Sequence, residues 1–487
     1  MIQLESSYAS ELEGLYVAWK GDVVPNPAIV KLNRQLAQEI GIDVDRLDSD
    51  AGAVLLTGSH PPAGATPLAQ AYAGHQFGHF ARQLGDGRAL LLGEVIDGQA
   101  CRRDLHLKGS GPTPFARGGD GKAVIGPILR EYLISEFMHA VGIPTTRSLA
   151  ALTTGETIWR NSPQPGAVLA RVAASHIRIG TFQYFSVRGD KEKVRRLADY
   201  AIRRHYPDLE GGEAPYLGLL RRVVAQQARL VSSWMGVGFV HGVMNTDNST
   251  ISGETIDYGP CAFMDSYDND TVFSSIDHHG RYAYGNQPAI AQWNLARFAE
   301  SILDLIDDED PVHAAEIASY EVEDFSRLYA QNWIALMRAK IGLAQRLPED
   351  RELALDLFAA LARKNIDFTL LFRYLGHALR GDRNPVLGLF EDPADIEPWL
   401  SRWSTRQELE IGDMQDRAAA LDRINPIYIP RNHKVEEALQ AATTLDLGPF
   451  ESLLQAVVDP YSERSDRQEY ASPAPRDFGP YTTYCGT

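Results

Sequence analysis

The sequence predicts an α+β fold of two lobes, one built on a β-sheet and one helical. Two observations predict it. Strand patterns separated by glycine-rich turns fill much of the chain before residue 173 and surround one amphipathic helix. Beyond residue 190 these patterns give way to long helical periodicities. Strands and helices segregated along a chain in this way are typical of an α+β architecture.

The totals favour a soluble enzyme-sized protein. The 487 residues suffice for a large core and more than one lobe, and the 44% hydrophobic content is ordinary. A net charge of −17 disfavours general binding to nucleic acid or anionic membranes. Three cysteines make no disulfide framework, and we find no targeting signal or membrane-length apolar run. We expect a cytoplasmic protein without nucleic-acid or membrane partners.

The first segment, residues 1–70, is an N-terminal extension with a helix expected over Asn26–Glu39 and a loop over Leu56–Pro67. His75 and His79 follow, four residues apart, and on a helix they would share a face that suits a metal. No third ligand lies nearby, and the neighbouring glycines oppose a helix. Packed or hydrogen-bonded histidines are therefore the favoured interpretation.

An N-lobe is expected over residues 71–165. Gly85-Asp86-Gly87 forms a tight turn before a strand over Arg88–Ile96, and Asp97-Gly98 is a strong hairpin signal. The return strand, Ala100–Lys108, ends in a lysine. A glycine turn, a hairpin and a strand-end lysine suit a nucleotide site, because bare backbone approaches phosphates and the lysine adds charge. The alternative is a solvated lysine at a strand end.

A glycine-rich segment, Gly109–Gly126, follows, and its backbone N–H groups suit an anion. The amphipathic helix comes next, predicted over Pro127–Val141. It carries Glu131 and Glu136, of which Glu131 is nearer the helix start and is the predicted partner of Lys108. The alternative is that both acids are solvated.

Further strands are expected over Ser148–Arg160 and Ala167–Val172. Arg171 and Arg178 lie seven residues apart, and on a helix both would face one way. Two guanidinium groups near a glycine-rich site suggest contact with phosphate. The alternative is a pair of unrelated surface arginines.

The segment His241–Asp265 carries the chemistry. Protein kinases have a catalytic loop H-x-D-x-x-x-x-N followed by D-F-G, in which the Asn and the second Asp bind magnesium. His241, Asn248 and Asp257-Tyr258-Gly259 fit this pattern, but Val243 occupies the position of the catalytic Asp.

A different acid, Asp247, precedes Asn248, and Ser249–Ile256 is predicted to be a hairpin that returns Asp257 to Asn248. The two residues that bind metal in a kinase site, Asn248 and Asp257, are thus present. The candidate catalytic base, Asp247, lies at a different position from the kinase base. The alternative is that Asn248 and Asp257 are turn residues that bracket a hairpin.

A C-lobe is expected over residues 166–345 and a helical region with an extended tail, Tyr461–Thr487, over 346–487. The predicted helices are 190–204, 215–235, 288–307, 313–344, 351–375, 414–422 and 433–442.

Six stretches together closely resemble the selenoprotein O (SelO, or YdiU) family of kinase-like protein adenylyltransferases, and they cover nearly the whole chain. They are Tyr72-Ala-Gly-His-Gln-Phe-Gly, Gln83-Leu-Gly-Asp-Gly-Arg, Leu105-His-Leu-Lys-Gly-Ser-Gly-Pro-Thr-Pro-Phe-Ala-Arg, His241-Gly-Val-Met-Asn-Thr-Asp-Asn, Asp257-Tyr-Gly-Pro and Asn425-Pro through Pro430-Arg-Asn-His. Matches in this order are far more specific than any one of them.

The resemblance implies a two-lobed kinase-like fold in which ATP lies flipped, so that AMP is transferred to Ser, Thr or Tyr hydroxyls of proteins. It implies that Asp247 accepts the proton, Glu131 orients Lys108, and Asn248 and Asp257 bind Mg²⁺ or Mn²⁺. The implied nucleotide contacts are Gly85, Gly87, Arg88, Lys108, Asp120, Gly121, Arg171, Arg178 and Asp257.

The departure from the family lies at the C-terminus, where some members carry selenocysteine or a cysteine that pairs with one in the activation segment. Cys485 is an ordinary cysteine, residues 269–279 contain none, and Cys261 is the nearest candidate partner. A redox switch is therefore in doubt.

Three hypotheses follow: an adenylyltransferase that uses ATP and a divalent metal, an ordinary kinase, and a non-catalytic nucleotide-binding scaffold. Val243 argues against the kinase. Lys108, Glu131, Asn248 and Asp257 argue against the scaffold, since a scaffold need not keep a metal site.

Overall fold

An antiparallel eight-stranded sheet dominates the first third of the computed structural model, which describes residues 2–362 and 364–484. The order is β1-β3-β6-β7-β10-β9-β2, and β8 pairs with β10. The other strands form two small pairs, β4-β5 and β11-β12. The strands are β1 Tyr16–Ala18, β2 Ala28–Leu32, β3 Leu68–Gln70, β4 Gly74–Gln76, β5 His79–Ala81, β6 Ala89–Ile96, β7 Arg102–Lys108, β8 Ala123–Val124, β9 Arg147–Trp159, β10 Pro163–Ala173, β11 Phe239–Val240 and β12 Ala262–Phe263.

Helices make up most of the remainder, so the predicted α+β composition is confirmed. The α-helices are α1 Ser7–Glu11, α2 Arg34–Glu39, α3 Val44–Leu47, α4 Asp50–Leu55, α5 Ile125–Ala140, α6 Ile179–Ser186, α7 Lys191–His205, α8 Pro215–Gly236, α9 Gln287–Ile306, α10 Pro311–Lys340, α11 Asp350–Leu361, α12 Phe368–Leu379, α13 Asn384–Leu387, α14 Glu397–Gln407, α15 Met414–Asp422, α16 Asn432–Ala442, α17 Gly448–Val457 and α18 Gln468–Ala471. Short 3₁₀ turns occupy Pro207–Leu209, Thr246–Asn248, Tyr284–Asn286, Pro393–Asp395, Ser465–Arg467 and Arg476–Phe478.

Helix α5 is buried between the sheet and the C-terminal helices. It packs against β9 and β10, and it also contacts α16 and α17. Ile128, Leu129, Leu133 and Phe137 are at most 1% exposed, which is the apolar face that its sequence predicts. Because both faces are covered, the position of α5 is fixed relative to the sheet that contains β7.

The predicted helix over Asn26–Glu39 is wrong in its first half. Ala28–Leu32 is strand β2, which pairs with β9, and the helix begins only at Arg34. Asn33 caps it by accepting a hydrogen bond from Leu36 N at 3.1 Å. The aliphatic run in β2 gains more by joining the sheet than by extending a short exposed helix.

The predicted hairpin over Ser249–Ile256 is also wrong, although the chain does turn back there. Thr250 Oγ1 donates to Glu254 O at 2.7 Å and accepts from Glu254 N at 3.1 Å, which closes a tight turn. Thr250 and Thr255 form bridges with Arg178 and Thr145 and not with each other. The backbone groups that a hairpin would have paired with each other therefore pair with neighbouring segments instead.

The other helical predictions hold closely, with one split and several omissions. The span 351–375 is two helices, α11 and α12, and Asp367 caps the second by accepting from Leu370 N at 2.7 Å. The helices that were not predicted are α1, α3, α4, α6, α13, α14, α17 and α18. In the described ranges 2–362 and 364–484, we find no helix of the length and apolarity that crossing a bilayer requires.

A buried lysine in the helical region predicts how stability depends on pH. Lys340 is 4% exposed, donates to Asn425 Oδ1 at 2.9 Å and lies over the Phe372 ring. Burial lowers its pKa from 10.5 to about 7. Between these values the unfolded chain binds one more proton than the folded chain, so the free energy of unfolding rises with pH.

We expect Lys340→Met to remove this contribution. The difference in unfolding free energy, wild type minus variant, should rise by up to about 1.4 kcal/mol per pH unit above pH 7. Urea titrations of both proteins from pH 6 to pH 10 measure it. A difference that stays constant over this range would show that Lys340 titrates normally.

Candidate active site

Asp257 lies at the centre of a cluster of cations. Its Oδ1 accepts from Arg171 Nη1 at 2.7 Å and its Oδ2 from Arg178 Nη1 at 2.6 Å, with Lys108 Nζ at 3.5 Å. Burial by itself would raise the pKa of Asp257, but Arg171, Arg178 and Lys108 outweigh it and hold the pKa well below its usual range. Asp257 also has φ +60°, a strained conformation for a residue with a side chain, which the surrounding contacts must maintain.

Arg171 and Arg178 do not share a helix, as their spacing had suggested. Arg171 belongs to strand β10, whereas Arg178 is the N-cap of α6. Both side chains are only 2% exposed, which excludes the alternative of unrelated surface arginines. Arg171 also pairs with Glu131 at 2.9 Å, and Arg178 donates to the backbone oxygen of Asp247 at 2.6 Å.

Lys108 and Glu131 are in contact, as the sequence predicts. Lys108 at the end of β7 reaches Glu131 Oε2 on α5 at 2.5 Å. Burial opposes ionisation of Glu131, yet Lys108 and Arg171 together lower its pKa below the usual value. Glu136, the other acid on the helix, pairs instead with Arg147 at 2.8 Å.

Asp247 lies in the 3₁₀ turn Thr246–Asn248, and Arg178 connects its backbone oxygen to the cluster. Its side chain is buried beside Gly74, and its Oδ2 accepts from Gln76 Nε2 at 3.2 Å. Burial raises the pKa of Asp247 to about 6, although Arg178 works in the other direction. A carboxylate with a raised pKa and few partners has the character of a general base.

All of the predicted site residues except Glu131 line one cavity of about 790 Å³, which we call the main cavity. Its lining includes Gly85, Gly87, Arg88, Lys108, Asp120, Gly121, Arg171, Arg178, Asp247, Asn248 and Asp257.

Gly85 needs its lack of a side chain, because it has φ +108° and packs against the Phe115 ring. Asp120 pairs with Arg160 at 2.8 Å, and both residues line the main cavity.

Other residues of the site were not singled out from the sequence. Asp86, between the two glycines, is fully buried and accepts from Gln70 N at 3.0 Å and contacts His106 Nε2 at 3.2 Å. His106 Nδ1 in turn lies 3.4 Å from Arg171 Nε. Tyr72 lies under the Arg178 guanidinium, 4.6 Å from it. For Asp86, the only local signal in the sequence was its position within a glycine turn, and acidic residues in such turns are usually solvated.

His75 and His79 are the two histidines whose spacing suggested a metal site. They lie on the hairpin β4-β5, and His75 Nδ1 is 3.0 Å from Gln183 Nε2, as the favoured interpretation anticipates. Across residues 2–362 and 364–484, no group of three or more His, Cys, Asp or Glu side chains is placed to hold a metal ion.

Asn248 and Asp257 fit a hard cation as two oxygen donors. Asn248 Nδ2 donates to Val243 O at 3.0 Å, so the nitrogen is committed to the loop and the amide oxygen is the atom suited to a ligand role. Both residues line the main cavity. Two protein oxygens suit Mg²⁺ or Mn²⁺ if phosphate oxygens and water complete the shell.

Comparisons with known proteins assign the chain to a class and a family. Residues 1–458 match the family model described as "Protein adenylyltransferase SelO". Relatives named "Protein nucleotidyltransferase YdiU" from Cereibacter sphaeroides and Mycobacterium sp. are each 56% identical over 487 residues, covering 100% of this chain and 99% of the relative. One from Pseudarthrobacter chlorophenolicus is 54% identical over 492 residues, covering 100% and 98%.

The protein is therefore a nucleotidyltransferase enzyme. It belongs to the SelO family of protein adenylyltransferases.

The environment of Cys261 predicts an unreactive thiol. Cys261 is fully buried, and burial raises its pKa to about 12, whereas Cys101 is exposed. Because the thiolate is the reactive form, iodoacetamide at pH 8 should label Cys101 at least about 10²-fold faster than Cys261 in the folded protein. Peptide mapping with and without denaturant measures this. Equal labelling of both in the folded state would contradict the burial. Cys485, its suggested partner, lies outside the described residues.

Proposed function

We propose that the enzyme transfers AMP from ATP to Ser, Thr or Tyr hydroxyls of proteins, with ATP flipped relative to ordinary kinases. We further propose a kinase-like arrangement with an N-lobe over 71–165, a C-lobe over 166–345, an extension before them and a helical region after them. The observation that supports the proposal is the difference between the surroundings of two aspartates in the main cavity, Asp257 and Asp247. Lys108, Arg171 and Arg178 surround Asp257, whereas the carboxylate of Asp247 accepts from Gln76 and has a raised pKa.

The cations support a role in holding ATP. In the family pattern, Gly85, Gly87, Arg88, Asp120 and Gly121 contact the nucleotide, and all five line the main cavity. Backbone N–H groups of the glycine turns can approach phosphate oxygens closely, and Lys108 supplies a point charge. Glu131 holds Lys108 in place and thereby fixes where that charge acts.

The outer phosphates would then lie against the glycine-rich segment before α5 and the α-phosphate would face Asp247. The substrate hydroxyl oxygen forms a bond to the α-phosphorus, and the bond from that phosphorus to the bridging oxygen breaks, which releases pyrophosphate. Asp247 takes the hydroxyl proton. Bound at Asn248 and Asp257, Mg²⁺ or Mn²⁺ would neutralise phosphate charge.

Differential labelling tests the proposal. A cell lysate is incubated with the enzyme and ATP labelled at the α- or the γ-phosphate. Label in protein from α-labelled ATP alone is expected, and intact mass should increase by one adenylyl group. Transfer of the γ-label would overturn the proposal and favour the ordinary kinase, whereas ATP binding without transfer of either label would favour the scaffold.

A further inference from the structure

A second cavity adjoins the main cavity and offers a place for the protein substrate. This side cavity has a volume of about 530 Å³. Phe77 and Ile276 line both cavities and so form the rim between them. A chain that lies in the side cavity can therefore extend one residue over this rim into the main cavity.

The hairpin β4-β5 is attached to the loop that carries the proposed base. His75 N donates to Thr246 Oγ1 at 2.7 Å, Gln76 Nε2 to Asp247 Oδ2 at 3.2 Å, and Phe77 N to Asn245 Oδ1 at 3.2 Å. These three consecutive contacts fix the hairpin relative to Asp247.

Phe77 itself has φ +51° in the turn of this hairpin, a conformation that residues with side chains rarely adopt. Phe77 N also contacts Tyr282 Oη at 3.0 Å, which helps to maintain the turn. A strained residue held by several contacts is characteristic of functional sites. The turn thus places an aromatic residue at the rim, next in sequence to Gln76, which contacts the proposed base.

Ile276 forms the other side of the rim and is 46% exposed. Ile276 and the aromatic Phe77 line both cavities, and apolar side chains lining a cavity suit an apolar side chain of a bound segment.

The charges in the side cavity favour an acidic segment over a basic one. Asp277 is the only acid among the described lining residues, and its carboxylate accepts from Arg281 N at 2.9 Å and Tyr282 N at 2.7 Å. Each of its carboxylate oxygens thus already accepts a hydrogen bond from its own loop. Arg281 is the permanent cation of the lining, and His79, His278 and His279 also line it.

We propose that the side cavity binds the acceptor segment of the protein substrate, an inference that rests on the proposed AMP transfer. The occupant is an extended segment whose hydroxyl-bearing residue crosses the rim toward Asp247. A bulky apolar side chain next to the hydroxyl residue packs against Phe77 and Ile276. An acidic residue further along the segment lies near Arg281.

A peptide library tests this assignment. Synthetic peptides carry one central Ser, Thr or Tyr and randomised flanking positions, and α-labelled ATP is the donor. The wild type is expected to prefer a bulky apolar residue beside the hydroxyl residue and an acidic residue beyond it. Ile276→Glu places a carboxylate at the rim without disturbing the core, because Ile276 is half-exposed. It should lower kcat/KM for the preferred peptides about tenfold, the loss expected when one isoleucine contact is removed.

The matched control is Ile411→Glu, which changes an 85% exposed isoleucine that lines neither cavity. It should leave the peptide preference unchanged. Calorimetry of ATP binding separates a loss at the rim from a loss of nucleotide affinity, and the affinity of Ile276→Glu for ATP should stay within about twofold of wild type.

The remaining outcomes are decisive. An unchanged preference in Ile276→Glu overturns the inference. So does a wild type that labels lysate proteins but none of the peptides, since an extended segment would then not suffice. Absence of α-label from every acceptor, lysate proteins included, would instead overturn the proposed AMP transfer itself.

Discussion

Asp257→Asn should abolish AMP transfer, with a loss of at least about 10³-fold, and should uncouple ATP binding from the divalent cation. The variant keeps the shape of the side chain but removes the charge that Arg171 and Arg178 contact at 2.7 and 2.6 Å. It also replaces one of the two proposed oxygen ligands by a neutral amide. Calorimetry with ATP, with and without Mg²⁺, should show a large metal effect in wild type and little in the variant.

Stability provides the control for this prediction, because the variant also leaves two buried arginines without their shared anion. Asp350 is a matched case in the helical region, since its buried carboxylate contacts Arg338 Nε at 2.9 Å and Arg406 Nε at 2.8 Å. Asp350→Asn should therefore destabilise the protein comparably and leave AMP transfer intact at a temperature where both variants are folded. Mg²⁺-dependent ATP binding of wild-type strength in Asp257→Asn would rule out the metal assignment.

Asp247→Asn should reduce the rate of AMP transfer by about 10² to 10⁴-fold, the usual contribution of a general base. The side chain keeps its size, which matters because it packs against Gly74. ATP binding should persist, because in the proposal Asp247 receives the hydroxyl proton and does not hold the phosphates. Single-turnover transfer of α-label, with ATP affinity measured in parallel, separates these two effects.

The thermal stability of Asp247→Asn should equal or exceed that of wild type. Burial disfavours the charged form of Asp247 strongly enough to raise its pKa to about 6, and a neutral amide removes that penalty. Loss of activity without loss of stability is the pattern expected of a residue retained for function. Transfer at the wild-type rate would exclude Asp247 as the proton acceptor.

Much of the fold could be predicted from the sequence because its signals are local. The strands β6 and β7, the helix α5 and most helices after residue 190 follow from periodicity and turn residues within short windows. The contact between Lys108 and Glu131 was predictable for the same reason, since a strand-end lysine, a glycine-rich segment and a helix acid occur in order within 24 residues, from 108 to 131.

Local signals failed where the tertiary environment competed. Ala28–Leu32 has helix-compatible residues but pairs with β9, and Ser249–Ile256 has strand residues but is satisfied by neighbouring segments. In both cases the partner lies far away in sequence, so a window around the segment contains no information about it.

The candidate site likewise has some features that the sequence determines and others that only the tertiary structure decides. The sequence by itself determined which residue types are present: Asp247 beside Asn248, Val243 at the kinase base position, and Asp257 before Tyr258-Gly259.

Only the tertiary structure decided that Arg171 from a strand and Arg178 from a helix cap converge on Asp257, respectively 86 and 79 residues later. Their seven-residue spacing suggested one helix face, but burial of three charged groups is tolerable only where they neutralise one another. Because this requirement depends on distances in the folded protein, no periodicity in the sequence indicates it.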